Sequence, residues 1–194
     1  ISEVRRLLGM KFHHPDVQEL IRRKHFSAFT IVPGKDDWVM LEFKRGKKVE
    51  RKSPTDIYAM ILKHLHDMLC KQLNIGTATT VRAVITVPAY FTLFQRGETV
   101  KAAKLAGFKV LKVVDEPTAA LIRAGIRSEP GNERVLVVDF GTTLDVTVLD
   151  VETTPQNKRH VKILATDGDM FLGGKDFDSA IVDLVMKKVN EQSP

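Results

Sequence analysis

From Val81 to Gly125 the chain alternates two kinds of pattern, and that alternation limits its folds more than any other feature. "VRAVITVP" is a nearly unbroken apolar run of strand length. "FQRGETVKAAKLAG" follows with helical composition, "FKVLKVV" returns to an apolar strand, and "EPTAALIRAG" reads as a short helix ending near Gly125. Strand, helix, strand, helix at this spacing predicts an α/β layer with a parallel sheet. A run as apolar as Val81 to Pro88 further predicts a strand covered on both faces. Gly97, inside the first of these helices, costs about 1 kcal/mol relative to alanine.

The pattern changes after a polar link at residues 127–133, "RSEPGNE". "RVLVVDF" and "LDVTVLDV" are strands joined by a very tight turn, and "HVKILATD" is a third. Together they predict an antiparallel meander, followed by a helix from about Gly174 to Asn190. Upstream, Glu3 to Leu8 reads as a short helix stopped by Gly9, and a second helix starts near Pro15 or Asp16. Phe29 to Val32, Trp38 to Phe43 and Lys48 to Lys52 read as short strands between "PGKDD" and "RGKK" turns. A longer helix begins at Ser53, which caps it, with Pro54 at the first helical position and Asp56 at the positive end of the dipole. Ile57, Met60, Ile61, Leu65, Met68 and Leu69 follow three-and-four spacing and predict its buried face, with His64 on the same side.

Composition removes several classes of function. Hydrophobic residues are 43% and charged residues 28% of 194, which predicts a globular protein rather than a disordered one. No apolar run reaches the roughly 20 residues that span a bilayer, so no membrane partner is expected. "ISEVRRLLG" has no apolar signal region and no initiator methionine, so the expectation is a fragment. The net charge of +6 raises a nucleic-acid reading. The densest basic stretch, Lys44 to Lys52, carries no interleaved aromatic residues for base stacking. It reads instead as a solvated hairpin, and no nucleic-acid partner is expected. Cys70 is the single cysteine, so no intrachain disulfide forms, and its helical setting predicts a buried, inert thiol. His64 and His66 point in different directions on a helix, and His13 and His14 beside Asp16 form a weak metal set.

The turn in "VVDFGTTLDV", Val137 to Val146, carries the chemistry. Asp139 shares a strand face with Val135 and Val137, and Asp145 shares one with Thr147. Each carboxylate interrupts an apolar strand, so each requires water, a cation or hydrogen-bond donors. A glycine turn with exposed N–H groups can cradle phosphate oxygens. The carboxylates would then act on magnesium through its water shell rather than on the phosphate. The same residues also suit a plain hairpin with two surface aspartates, and the local sequence leaves both readings open.

"VITVPAYF", "QR", "LAGFKVLKVVDEPTAALIRAGI", "VVDFGTTLDV" and "LGGKDFD" occur in one order over the chain. This set resembles the ATPase domain of the seventy-kilodalton heat-shock chaperone family; "VRRLLG" and "HFSAF" also fit. The resemblance implies an α/β, actin-like (ribonuclease H-like) fold, incomplete here, with parts of two lobes and ATP or ADP in the cleft between them. It implies that residues 1–133 form part of lobe I and residues 134–194 the start of lobe II. It implies that Gly141, Thr142 and Thr143 lie near the phosphates. It places Asp139 near magnesium and the attacking water, with Thr143 helping to organise them, and Glu116 near the metal's water shell. Pro88, Tyr90 and Arg96 match positions that relay the nucleotide state. The partners implied for a full protein are unfolded peptides, J-domain co-chaperones and nucleotide-exchange factors, in a cytoplasmic setting.

Three departures accompany the resemblance. "GTT" stands where the family usually has three glycines before its threonine, and β-branched threonine resists positive φ. Arg5, in "RRLLG", stands at the position of the family's catalytic lysine; its planar fork has a different reach and cannot pass a proton. The family's first phosphate hairpin is expected before residue 1 and its adenosine-binding elements after residue 194, leaving raw sheet edges and uncovered apolar faces. Two functions stay open. One is an ATP-dependent chaperone; the other is a chaperone-like regulator or exchange partner with weak or no hydrolysis, which the "HHPD" stretch, shared with larger heat-shock relatives, also fits. A sugar kinase on the same fold matches "VPAYF", "EPTAA" and "LGGKDFD" much less closely.

Overall fold

The computed structural model describes residues 4–23, 28–125, 130–156 and 158–192. Part of the 127–133 link and most of "HFSAF" lie outside the described residues. The chain divides into two compact units: residues 1–87 with 91–114, and residues 88–90 with 115–194.

The first unit begins with a 3-10 turn, Val4–Leu7, shorter than the helix expected there and closed by Gly9 at positive φ. Helix α1, Pro15–Arg22, starts on His14, whose ring accepts the Asp16 N–H, and buries Val17 and Leu20. Strands β1 (Thr30–Pro33), β2 (Val39–Arg45) and β3 (Lys48–Lys52) form an antiparallel sheet in that order. The basic tract therefore lies on the β2–β3 hairpin, where Arg51 Nε donates to Glu42 at 2.7 Å. Among its apolar residues, Leu7, Leu8, Leu20 and Leu41 are wholly buried.

Helix α2, Pro54–Gln72, opens with the expected Ser53 cap, here a full capping box with Asp56. Its buried face differs from the expected one. Thr55, Ile57, Ala59, Leu62, His66 and Cys70 are buried, whereas Met60, Ile61, Leu65, Met68 and Leu69 are exposed, as is His64. The reason lies in the partner helix. Helix α3, Leu93–Leu105, and its C-cap present Ala102, Ala103 and Ala106, and these small side chains admit Ala59 and Leu62 to close contact. His66 is buried at the far end, with Nε2 3.0 Å from the Thr79 carbonyl and its ring edge-on to Phe108. Cys70 is buried, as expected, 3.7 Å from His66 Nδ1.

Strands β4 (Val81–Val87) and β5 (Phe108–Asp115) are hydrogen-bonded neighbours flanking α3, the strand–helix–strand unit that the alternation predicts. They are covered on one face only. Ile85, Phe108 and Val110 pack on the α2–α3 cluster, while Val84 and Leu111 are more than half exposed. The expectation of a strand covered on both faces thus fails among the described residues, because nothing there lies over the second face.

In the second unit, helix α4, Glu116–Ala124, packs on a three-stranded meander. Its strands are β6 (Gly131–Phe140), β7 (Leu144–Thr153) and β8 (Arg159–Asp169), antiparallel and in sequence order. Leu121 of α4 joins Leu149 and Val151 in a buried cluster, with Val135, Val137, Val161 and Ile163 around it. The other face of β6, with Leu136, Val138 and Phe140, is exposed. Helix α5, Gly174–Gln192, ends the chain and exposes its apolar residues from Phe177 to Val189. No described helix is long and apolar enough to cross a membrane.

Candidate functional site

The hairpin tip between β6 and β7 is positioned by a gradient along one sheet face. Far from the tip this face is apolar, with Leu149 and Val151 under α4. It then reaches a polar rung, where the Thr147 and Thr166 hydroxyls lie 3.1 Å apart. Next come Asp139 and Asp145, register partners across β6 and β7. In β8 the residue opposite Asp145 is Gly168. A Cβ there would stand 2.4 Å from the Leu144 carbonyl oxygen and 3.1 Å from Asp145 Oδ1, so glycine is what lets β8 close over the aspartate. The two carboxylates therefore share one face at the mouth of the turn, as the strand alternation predicts.

The turn itself is held from inside and outside. The Gly141 N–H donates to the Thr143 carbonyl at 3.0 Å. The Thr143 hydroxyl, largely buried, donates to Asp145 Oδ2 at 2.8 Å. From outside, the Gly174 N–H at the start of α5 donates to the Gly141 carbonyl at 3.0 Å. Gly173 lies so near that a Cβ on it would stand 2.1 Å from the Thr142 carbonyl oxygen. Asp176 completes the junction by accepting the Gly173 N–H at 2.9 Å, a carboxylate in the first turn of α5 where the helix dipole favours it. Phe140 and Phe177 meet edge to face across the same junction, centroids 5.6 Å apart. "FGTT" and "LGGKDFD", with 28 residues between them in sequence, are thus one local structure.

Asp139 is exposed, and its side chain makes no hydrogen bond or ion pair among the described residues. Those residues contain no group of three or more histidine, cysteine or acidic side chains that could hold a metal ion. A carboxylate pair without further ligands suits a cation that keeps most of its own water, as magnesium does, rather than one caged by protein. The two carboxylates at the tip suit hydrated magnesium, and Asp139 is the more exposed of the pair.

The structure brings Asp139, Gly141, Thr142 and Thr143 together at this tip. Glu116, the first residue of α4 and half-buried, belongs to the same unit, as do Pro88, which is buried, and Tyr90, which is exposed. Arg5, half-buried in the 3-10 turn, and Arg96 of α3 belong to the first unit. Arg96 Nε donates to the Phe91 carbonyl at 2.9 Å. Sequence reasoning did not single out Gly168, Gly173 or Gly174 as parts of the site. The signal for the last two was a glycine pair directly before a helix.

Comparison with known proteins identifies the family. The family described as Hsp70 protein matches residues 1–194. The chaperone protein DnaK of Thermus thermophilus is 40% identical over 193 residues, which is 99% of this chain and 28% of that protein. The DnaK of Psychrobacter cryohalolentis is 37% identical over 184 residues, 94% of this chain and 27% of the relative. The DnaK of Buchnera aphidicola is 32% identical over 190 residues, 97% of this chain and 28% of the relative. The chain thus spans a little over a quarter of the length of these relatives.

Proposed function

This chain belongs to the Hsp70 family, and on that premise we propose that it forms part of a nucleotide-binding region which switches a chaperone's grip on unfolded peptides. The family's ATPase domain has the actin-like fold, and the mixed α/β elements of both units are parts of such a domain. In our reading the chain crosses from lobe I to lobe II in the link at residues 127–133.

The observation that carries the proposal is the β6–β7 tip: a glycine turn seated on the start of a helix, with two register-paired carboxylates at its mouth. Gly141 and Thr142 approach the phosphates of ATP or ADP. Asp139, with Glu116, would hold the water shell of magnesium, which would supply neutralisation of charge on the phosphoryl oxygens. Asp139 also orients the attacking water, and Thr143 acts by fixing Asp145 beside it. Arg5 supplies positive charge where the family has lysine, without the capacity to pass a proton. Pro88, Tyr90 and Arg96 relay the nucleotide state. J-domain co-chaperones and exchange factors are the partners of the whole protein.

A second reading, a regulator with little or no turnover, is favoured by one specific observation. The Gly141 N–H and the Thr143 hydroxyl are already bonded within the tip, so the turn has fewer donors to offer a phosphate. Calorimetric titration with magnesium-ATP tests the first reading. We expect saturable binding that Asp139→Ala weakens by about tenfold or more, since a charge-assisted contact is worth about 1.5–3 kcal/mol. Binding that is absent, or unchanged in Asp139→Ala, refutes the magnesium role and leaves the regulator.

A further inference from the structure

The first unit contains a groove of about 430 Å³, a size within the roughly 300–1,000 Å³ of small-molecule sites. None of the residues assigned above to nucleotide, magnesium or relay lines it. We propose that this groove binds an amphipathic monoanion, a medium-chain carboxylate whose tail lies on the apolar floor and whose head meets Lys35 and Lys101.

The floor is built from Leu7, Met10, Val39, Met40 and Pro54, with Trp38 and Phe94 as the wall. That wall is rigid. The two rings stack with centroids 4.6 Å apart and 10° between planes. The opposite face of Trp38 carries Lys11 Nζ, 3.6 Å from the ring centroid, itself anchored by a 2.6 Å bond to the Asp36 carbonyl. A preformed apolar surface of this kind takes up a hydrocarbon tail without paying to order its own side chains.

The polar lining decides the sign of the ligand. Lys35 and Lys101 border the groove, against a single carboxylate, Glu98. Glu98 is already occupied: its Oε2 accepts the Thr55 hydroxyl at 2.5 Å, and its Oε1 lies 3.4 Å from Lys101 Nζ. Lys35 is exposed and its side chain makes no hydrogen bond or ion pair among the described residues. With Lys101 paired to Glu98, the lining keeps one net positive charge, centred on Lys35, and no uncommitted carboxylate, so an anionic head is matched and a cationic one is not.

Trp38 is the only tryptophan in the chain, so its emission reads the groove directly. The full chain is titrated with decanoate, below its micelle-forming concentration, and in parallel with decyltrimethylammonium. Decanoate should produce a saturable shift of emission, and the cation a much weaker one. Lys35→Glu combined with Lys101→Glu should weaken decanoate by about tenfold, the effect of reversing two exposed charges. Lys47→Glu with Lys48→Glu, on the β2–β3 hairpin away from the groove, should leave it unchanged. Three results overturn the proposal: no saturable shift with decanoate, an equal response to both surfactants, or equal weakening by both charge-reversed pairs.

Discussion

Gly173→Ala is the sharpest perturbation of the hairpin tip, because the added methyl meets backbone rather than a yielding side chain. Its Cβ would stand 2.1 Å from the Thr142 oxygen, 2.4 Å from the Thr142 carbonyl carbon and 3.0 Å from the Gly141 oxygen. Ordinary contact begins at 3.4 Å, so the tip and the start of α5 must part by 3.4 − 2.1 = 1.3 Å. The same movement stretches the 3.0 Å bond from the Gly174 N–H to the Gly141 carbonyl beyond 4 Å and breaks it. Overpacking costs about 1–3 kcal/mol and the lost bond about 1 kcal/mol, a total of about 2–4 kcal/mol. Amide exchange across the β6–β7 pairs between Val137 and Thr147 should then quicken by roughly 30- to 1,000-fold if the cost falls on opening of the hairpin.

Gly97→Ala supplies the opposite sign from the same chemical change. Gly97 is exposed in the middle of α3, and a Cβ there meets nothing within 4 Å. Alanine should stabilise the first unit by about 0.5–1 kcal/mol, raising the urea midpoint followed by Trp38 emission. Gly173→Ala should leave that Trp38 transition in place. If β6–β7 exchange in Gly173→Ala matches the parent chain, α5 does not seat on the tip and the reasoning is refuted.

Leu121→Ala should cost about 2–5 kcal/mol, since Leu121 is the side chain of α4 buried against Leu149 and Val151. Exchange in the meander should quicken while the Trp38 transition stays unchanged; a shift of the Trp38 transition alone would contradict the packing. Hydrogen bonds from Arg22 and then Arg23 hold Glu19 at a pKa of about 2, down from 4.5. A lowered folded-state pKa gives stability that is fully present above about pH 4.5 and lost as the pH falls toward 2. Urea midpoints between those limits should therefore decline less steeply in Glu19→Gln than in the parent chain, and parallel slopes would show that the pair contributes nothing.

Much of this architecture was legible because it is written in local chemistry. The Ser53 cap, the β4–α3–β5 alternation and the β6–β7–β8 meander rest on neighbours in sequence. The buried face of α2 was not legible, for a physical reason. The helix is apolar on two sides, and periodicity shows that a stripe exists without showing which neighbour covers it. Ala59 and Leu62 win burial because α3 and its C-cap offer three alanines, and His66 because the Thr79 carbonyl satisfies its ring. Met60, Leu65 and Met68 are more hydrophobic than some of the residues buried in their place, yet they remain exposed. Val84 and Leu111 on the β4–β5 pair follow the same rule.

The tip shows how two readings of one sequence can describe the same object. As a hairpin, "GTT" needs no left-handed residue: none of Gly141, Thr142 and Thr143 has positive φ. Its threonines are therefore unstrained, which a path requiring several glycines would not permit. As a phosphate loop, the turn has to be shaped from outside. That task falls to Gly173 and Gly174, whose missing side chains let the start of α5 close on the Gly141 and Thr142 carbonyls. With the Gly141 N–H and the Thr143 hydroxyl committed inside the turn, the proposed nucleotide role would rest chiefly on Asp139. Asp139→Asn separates charge from shape at that position. It keeps a hydrogen-bonding group of the same size and removes the negative charge that magnesium requires. Under the magnesium role, Asp139→Asn should lose as much affinity for magnesium-ATP as Asp139→Ala; if Asn is tolerated and Ala is not, the residue holds the loop and not the metal.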